Sequence, residues 1–194
     1  MRARRIGWRT APTKKETSMR RIFGPTMSAL AVTVLTAGSA LAHDGIETRL
    51  KGYQEVPAVS STATGKFSAK VNAAAGTIDY ELRYAGLEGD VRQAHIHFGQ
   101  KGVNGGITIW LCQTSVNVDP TGSSPTCPQS GTVSGTLTAA KMVGAAAGQG
   151  AFNQGIAAGE FDELIAAIRA GVAYANVHSS KFPGGEIRGQ LSDD

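Results

Sequence analysis

The sequence predicts an all-β fold, a sandwich or barrel, carrying one surface helix near residues 160–170. Three observations predict it. Short segments alternate apolar and polar residues, clusters of Gly, Asn, Asp and Pro separate them, and a single apolar stripe falls at helical spacing. The 194 residues are 41% hydrophobic, 18% charged and 6% aromatic, with 25 Gly, which suits one domain. That composition excludes collagen, a coiled coil and a disordered acidic tail. No internal repeat suggests a solenoid or propeller.

The chain begins with a segment set apart by its charge. Residues 1–42 hold eight of the 19 Lys and Arg and one of the 15 acids, Glu16. Residues 43–194 therefore keep 11 basic and 14 acidic residues, a net charge of −3, although the whole chain stands at +4. Arg20 and Arg21 form a basic start, Met27–Ala37 a short apolar run, and Ala40-Leu41-Ala42 a small-x-small cleavage site, the pattern of an export signal. Met19 is a second candidate start. Arg20-Arg21-Ile22-Phe23 is similar to a twin-arginine signal, but an ordinary secretory start is the simpler reading. The apolar run is too short and too interrupted by Ser and Thr to serve as a stable membrane span. The expected organisation is a signal peptide over 1–42 and one β-domain over 43–194, periplasmic or secreted. A mildly acidic mature chain gives no electrostatic case for nucleic acid.

The predicted strands follow in order. Phe67, Ala69 and Val71 alternate with polar residues, as do Ile78, Tyr80, Leu82 and Tyr84, with Asn72–Gly76 as the turn between. Val91–Phe98 and the segment of Ile107, Ile109 and Leu111 flank the turn Lys101–Gly106. Thr132–Thr138 is a further strand, and Val172–His178 pairs with Glu186–Leu191 across a tip at Pro183-Gly184-Gly185. Ala139–Gly159, rich in Ala and Gly, is expected to be a loose helix followed by a mobile loop. Phe161, Leu164, Ile165 and Ile168 then mark the helix, with Glu160, Asp162 and Glu163 in its first turn and Arg169 in its last. Gly171 is placed for a left-handed cap.

The two cysteines, Cys112 and Cys127, are expected to pair in an oxidising compartment. The bond would close a loop with little to bury, Gln113–Thr126, worth about 3 kcal/mol in the chain-entropy model. A thiol metal or redox site would need a C-x-x-C spacing that is missing.

All four histidines, His43, His95, His97 and His178, lie in the exported part. In a strand, His95 and His97 project from one face while Ala94, Ile96 and Phe98 turn to the core. His178 shares a face with Asn176 and Tyr174, opposite Ala173, Ala175 and Val177. Three imidazoles converging from two strands would suit copper or zinc. Cleavage after Ala42 would make His43 the mature N-terminus, whose amine and imidazole together chelate Cu(II). At reference imidazole pKa values, such a site would lose its ion as pH falls through about 6.5. The alternative for these rings is structural, with each one hydrogen-bonded to a turn. Asp79, Glu81, Glu88 and Asp90 read as solvated residues. With no nucleophile–base pair and no paired carboxylates, no catalytic residue is assigned.

The stretches Ala94–Gly106 and Asp162–Leu191 resemble the CHRD domain family, named from the animal protein chordin and found in many bacterial secreted proteins. The opening Ile46–Pro57 is similar to the family's start, a strand leading to an E-V-P-P turn, with Ala58 in place of the second Pro. The match is weakest at the Cys112–Cys127 loop and at Ala139–Gly159. Recurrent family positions fall on His95, His97, Gly99, Gly102, Asn104, Gly105, Asn176, His178, Pro183, Gly185, Glu186, Arg188 and Gly189. The resemblance implies an extracellular or periplasmic β-sandwich. Glu186 and Arg188, on one face of the last strand, are expected to form a cross-strand ion pair of little worth if exposed. His95–Gly99 followed by Asn104-Gly105 is also similar, more remotely, to the copper-ligand segment of copper/zinc superoxide dismutase, a Greek-key barrel.

The combined expectation is a Greek-key sandwich or barrel, immunoglobulin- or superoxide-dismutase-like. It would act as an exported binding module with copper or zinc on His95, His97, His178 and His43, and with Asn176, Arg188 and Glu186 around them. Its rivals are a copper-dependent oxidoreductase of superoxide dismutase type and a metal-free domain that meets an extracellular protein or glycan.

Overall fold

A computed structural model describes residues 45–143 and 150–192. Eight strands are formed: β1 Gly45–Lys51, β2 Thr64–Asn72, β3 Thr77–Ala85, β4 Val91–Phe98, β5 Gly106–Cys112, β6 Gly131–Leu137, β7 Ala173–Ser179 and β8 Ile187–Leu191. Helix α1, Phe161–Arg169, precedes β7. The strands make one antiparallel sheet in the order β5-β4-β7-β8-β1-β2-β3-β6. Its two end strands, β5 and β6, lie against each other, so the sheet curls into a nearly closed barrel. Tyr80 on β3 spans the remaining seam, donating its hydroxyl to the Leu111 carbonyl of β5. Consecutive strands β3 and β4 are not neighbours, nor are β6 and β7, so the chain crosses the barrel ends twice as Greek-key connections require. The predicted all-β Greek-key class holds.

Alternation explains the side turned inward. On β3, Ile78, Tyr80, Leu82 and Tyr84 are buried while Asp79, Glu81, Arg83 and Ala85 face water. The same rule sends Leu50, Phe67, Ile96, Ile109, Val177, Ile187 and Leu191 into one core. The stripe of α1 joins that core through Phe161, Leu164, Ile165 and Ile168. Gly171, at φ +67°, ends the helix. Its N–H bonds the Ile168 carbonyl and that of Val172 bonds Ala167, each at 2.9 Å, the Schellman pattern.

Two expectations need correction. Among the described residues, the loose helix predicted in Ala139–Gly159 does not form. The described part makes 3₁₀ turns at Ala139–Lys141 and Ala151–Gln154, and the mobile loop expected there falls partly on residues 144–149, outside the described residues. This segment is recruited by the outer edge of β5, whose backbone groups would otherwise be unpaired. Met142 bridges Ile109, Gly150 bridges Ile107, and Val143 donates to the Thr108 carbonyl at 2.9 Å.

The loop closed by Cys112–Cys127 also has more to bury than its composition suggests. Asp119 is 2% exposed, accepting backbone N–H bonds from Thr121, Ser123 and Ser124 and the hydroxyls of Thr121 and Ser124. Burial works to raise the Asp119 pKa, and these hydrogen bonds outweigh it, leaving the carboxyl below its ordinary value. Replacing both cysteines with serine frees a loop of sequence separation 15. The expected loss is about 3 kcal/mol of unfolding free energy in urea denaturation, with the far-ultraviolet spectrum unchanged.

Candidate metal centre

Strands β4 and β7 lie side by side, and their register sets the site. Gln93 stands opposite His178, His95 opposite Asn176, and His97 opposite Tyr174. All of these side chains point to the outer face of the barrel, since Ala94, Ile96, Ala175 and Val177 fill the inner one. Elsewhere that outer face is wet, but here it is roofed, and every residue of β7 is buried. The roof consists of the segment after β4, residues 99–105, the segment between β7 and β8, and the turn after β1. Asn104 ties two of these together by donating to the Val56 carbonyl at 2.8 Å. Gly105 folds back so closely that a side chain there would overlap the Phe98 carbonyl, which only glycine avoids.

Under this roof the three rings converge. Centroid separations are 5.0 Å for His95–His178, 5.4 Å for His95–His97 and 6.2 Å for His97–His178. One nitrogen from each ring lies within 4.8 Å of the other two. The backbone fixes two of the tautomers. His97 Nδ1 meets the Gly105 carbonyl at 2.9 Å and His178 Nδ1 meets the Pro183 carbonyl at 2.9 Å. A carbonyl can only accept, so both Nδ1 atoms carry the proton and both Nε2 atoms carry a lone pair. His97 Nε2 has no hydrogen-bond partner, and neither nitrogen of His95 has one. His95 instead packs edge-on against Trp110, at 4.3 Å between centroids. Unpaired buried polar atoms are costly, which makes a convergent set of them informative.

Electrostatics keeps the rings neutral. Burial pushes His97 down to about 3 and His178 down to about 4, and holds His95 well below the ordinary imidazole value, with neighbouring imidazoles adding to the effect at His95 and His97. Neutral imidazole is the form that ligates a metal.

Charged groups sit behind the rings. Tyr174 lies parallel to His97, 4.7 Å away, and the Arg188 guanidinium lies 3.3 Å from the Tyr174 ring centre. Arg188 is 1% exposed and donates to the carbonyls of Val103 and Gln100 and to Asn104 Oδ1. The Glu186–Arg188 ion pair expected from the sequence is therefore corrected. Both residues are buried, and Glu186 accepts instead from the Ser61 hydroxyl and the Glu88 N–H. The carboxyl that faces Arg188 electrostatically is Glu55, whose pKa burial raises to about 7 against the pull of that arginine.

The structure thus gathers His95, His97, His178 and Asn176, with Arg188 behind Tyr174. Glu186 stands apart with Ser61 and Glu88, and the Cys112–Cys127 bond closes its own loop. His43 lies outside the described residues. Sequence reasoning missed Glu55, Tyr174 and Trp110. Tyr174 was visible as the next residue on the face of Asn176 and His178, and Glu55 as the acid of the opening turn motif.

No curated protein and no solved structure matches the chain, so the remote likeness to superoxide dismutase gains no support there. The CHRD domain family model matches residues 46–191. That span runs from the second residue of β1 to the last of β8 and takes in every ring of the cluster. By this match over most of its length, the chain belongs to the CHRD domain family.

Proposed function

We propose that this CHRD domain is an exported binding module that holds one divalent ion, copper or zinc, on His95, His97 and His178. The observation that carries this reading is the pair of Nδ1–H bonds to Gly105 and Pro183. They orient two Nε2 lone pairs toward a third buried imidazole whose nitrogens have no partner. Metal-bound histidines are commonly fixed by such a bond from the other ring nitrogen. Ligands bound at 2.0–2.1 Å stand about 3.3 Å apart around one tetrahedral ion, so the widest separation, up to 4.8 Å, must close by about 1.5 Å. Export is supported by the Ala40-Leu41-Ala42 signal pattern and by the disulfide. Among the described residues no helix is long and apolar enough to cross a membrane. Proton competition should begin well below pH 6.5, because the metal-free rings already resist protonation.

The test is elemental analysis of mature protein expressed in the periplasm without a polyhistidine tag. One ion per chain is expected, and His97→Ala should lose it while keeping its circular dichroism spectrum. Wild-type protein that stays metal-free after incubation with zinc and with copper would overturn the reading.

A further inference from the structure

Asn176 occupies the middle of the cluster. It is the cross-strand partner of His95, two residues from His178 on β7, and diagonal to His97 on β4. Its Oδ1 lies 3.0 Å from His178 Nε2. Pro183 already takes the Nδ1 proton, so Nε2 presents a lone pair and so does the amide oxygen. The amide nitrogen is turned the other way, toward Glu55. A methyl group on Gly185 would meet Asn176 Nδ2 at 2.9 Å and Glu55 Oε1 at 2.5 Å, and the amide helps hold the Glu55 carboxyl in its charged form.

Two lone pairs facing each other at this distance repel unless a proton or a cation lies between them. Around a four-coordinate ion with bonds of about 2.0–2.1 Å, neighbouring donors stand about 3.3 Å apart, close to the spacing seen here. Resting on the metal reading above, we propose that Asn176 Oδ1 is the fourth donor. Three imidazole nitrogens and one amide oxygen then close the site, and Glu55 polarises the amide from outside. With no sulfur ligand, this donor set takes zinc or divalent copper in preference to monovalent copper.

An alternative role for Asn176 is to flip its amide and cap the free His178 lone pair through Nδ2. The two roles differ in sign. The experiment is a zinc titration of the mature chain against a competing chelator, with Asn176→Ala, Asn176→Asp and His97→Ala, each checked for fold by near-ultraviolet circular dichroism. A ligand role predicts that Asn176→Ala weakens zinc binding by about tenfold or more. It also predicts that Asn176→Asp, isosteric and anionic, binds at least as tightly as wild type. Cobalt(II) bound to Asn176→Ala should show an altered visible spectrum. Unchanged or tighter zinc binding by Asn176→Ala overturns the proposal. Should that variant fail to fold, weaker binding by Asn176→Asp overturns it. If wild type binds and His97→Ala does not, the triad reading survives either result for Asn176. If wild type binds neither zinc nor divalent copper, both readings fall together.

Discussion

Replacing Arg188 with methionine is expected to lower the unfolding free energy by about 3–5 kcal/mol, the range for breaking a buried charge network from one side. The guanidinium is 1% exposed and its donors reach Val103, Gln100 and Asn104. Methionine fills much of the volume but leaves those acceptors without a partner under the roof. It also strips the opposing positive charge from Glu55, which is itself buried. The cost should therefore depend on Glu55. In Glu55→Gln protein the same arginine substitution should be milder by more than 1 kcal/mol, because no buried carboxylate is then left alone. Urea denaturation of the four proteins closes this cycle. A loss below about 1 kcal/mol, or strict additivity, would show that Arg188 is a packing residue and no more.

The second large effect is on acid stability, measured on chelator-treated protein. Unfolded histidines take up protons near pH 6.5, whereas folded His97 and His178 do so at about 3 and about 4, and His95 well below 6.5. Below pH 6.5 the unfolded chain therefore binds more protons, and stability falls as pH falls. Each such group contributes about 1.4 kcal/mol per pH unit across its window. Glu55 acts in the opposite sense, since its folded value of about 7 exceeds the ordinary 4.5. Between pH 7 and 4.5 the folded state gains a proton there that the unfolded state lacks, which stabilises it. From pH 6.5 to 4.5, three losses thus stand against one gain, and below 4.5 Glu55 no longer offsets the histidines, while the depressed Asp119 carboxyl adds to the loss. Urea midpoints should drop steadily from pH 6.5 to 4.5 and faster below. Glu55→Gln removes the compensating group and should steepen the upper part of the curve. A flat profile between pH 6.5 and 4.5 would show that these imidazoles are solvated in solution.

Much of this was legible beforehand because side chains on a strand repeat every two residues. That period placed β4 at Val91–Phe98, put His95 and His97 on one face, and set His178 beside Asn176 and Tyr174. The helix was legible for the matching reason, its stripe returning at three and four residues. The roof was not. Alternation marks one face as apolar, but it cannot say that segments distant in sequence will cover the polar one. Arg188 and Glu186 were therefore placed around the histidines without any sign that both are buried, or that Glu186 bonds Ser61 and Glu88 instead. Glu55 reached the site from the far end of the chain through the β1–β8 pairing, a contact no local pattern encodes. Asp119 was hidden similarly, since a loop of Asp, Thr and Ser looks solvated until its hydroxyls and N–H groups turn onto one carboxylate.

The roof also has a kinetic meaning. His95 is fully shielded, and His97 and His178 are less than a tenth exposed, so the rings meet little solvent while the three covering segments stay in place. An ion held there, as proposed, would enter or leave when those segments part, an event of local unfolding. On the proposed metal reading, uptake and release would be timed by the opening of the tips joined at Asn104 and Val56, and a tight binder and a weak one would share that gate.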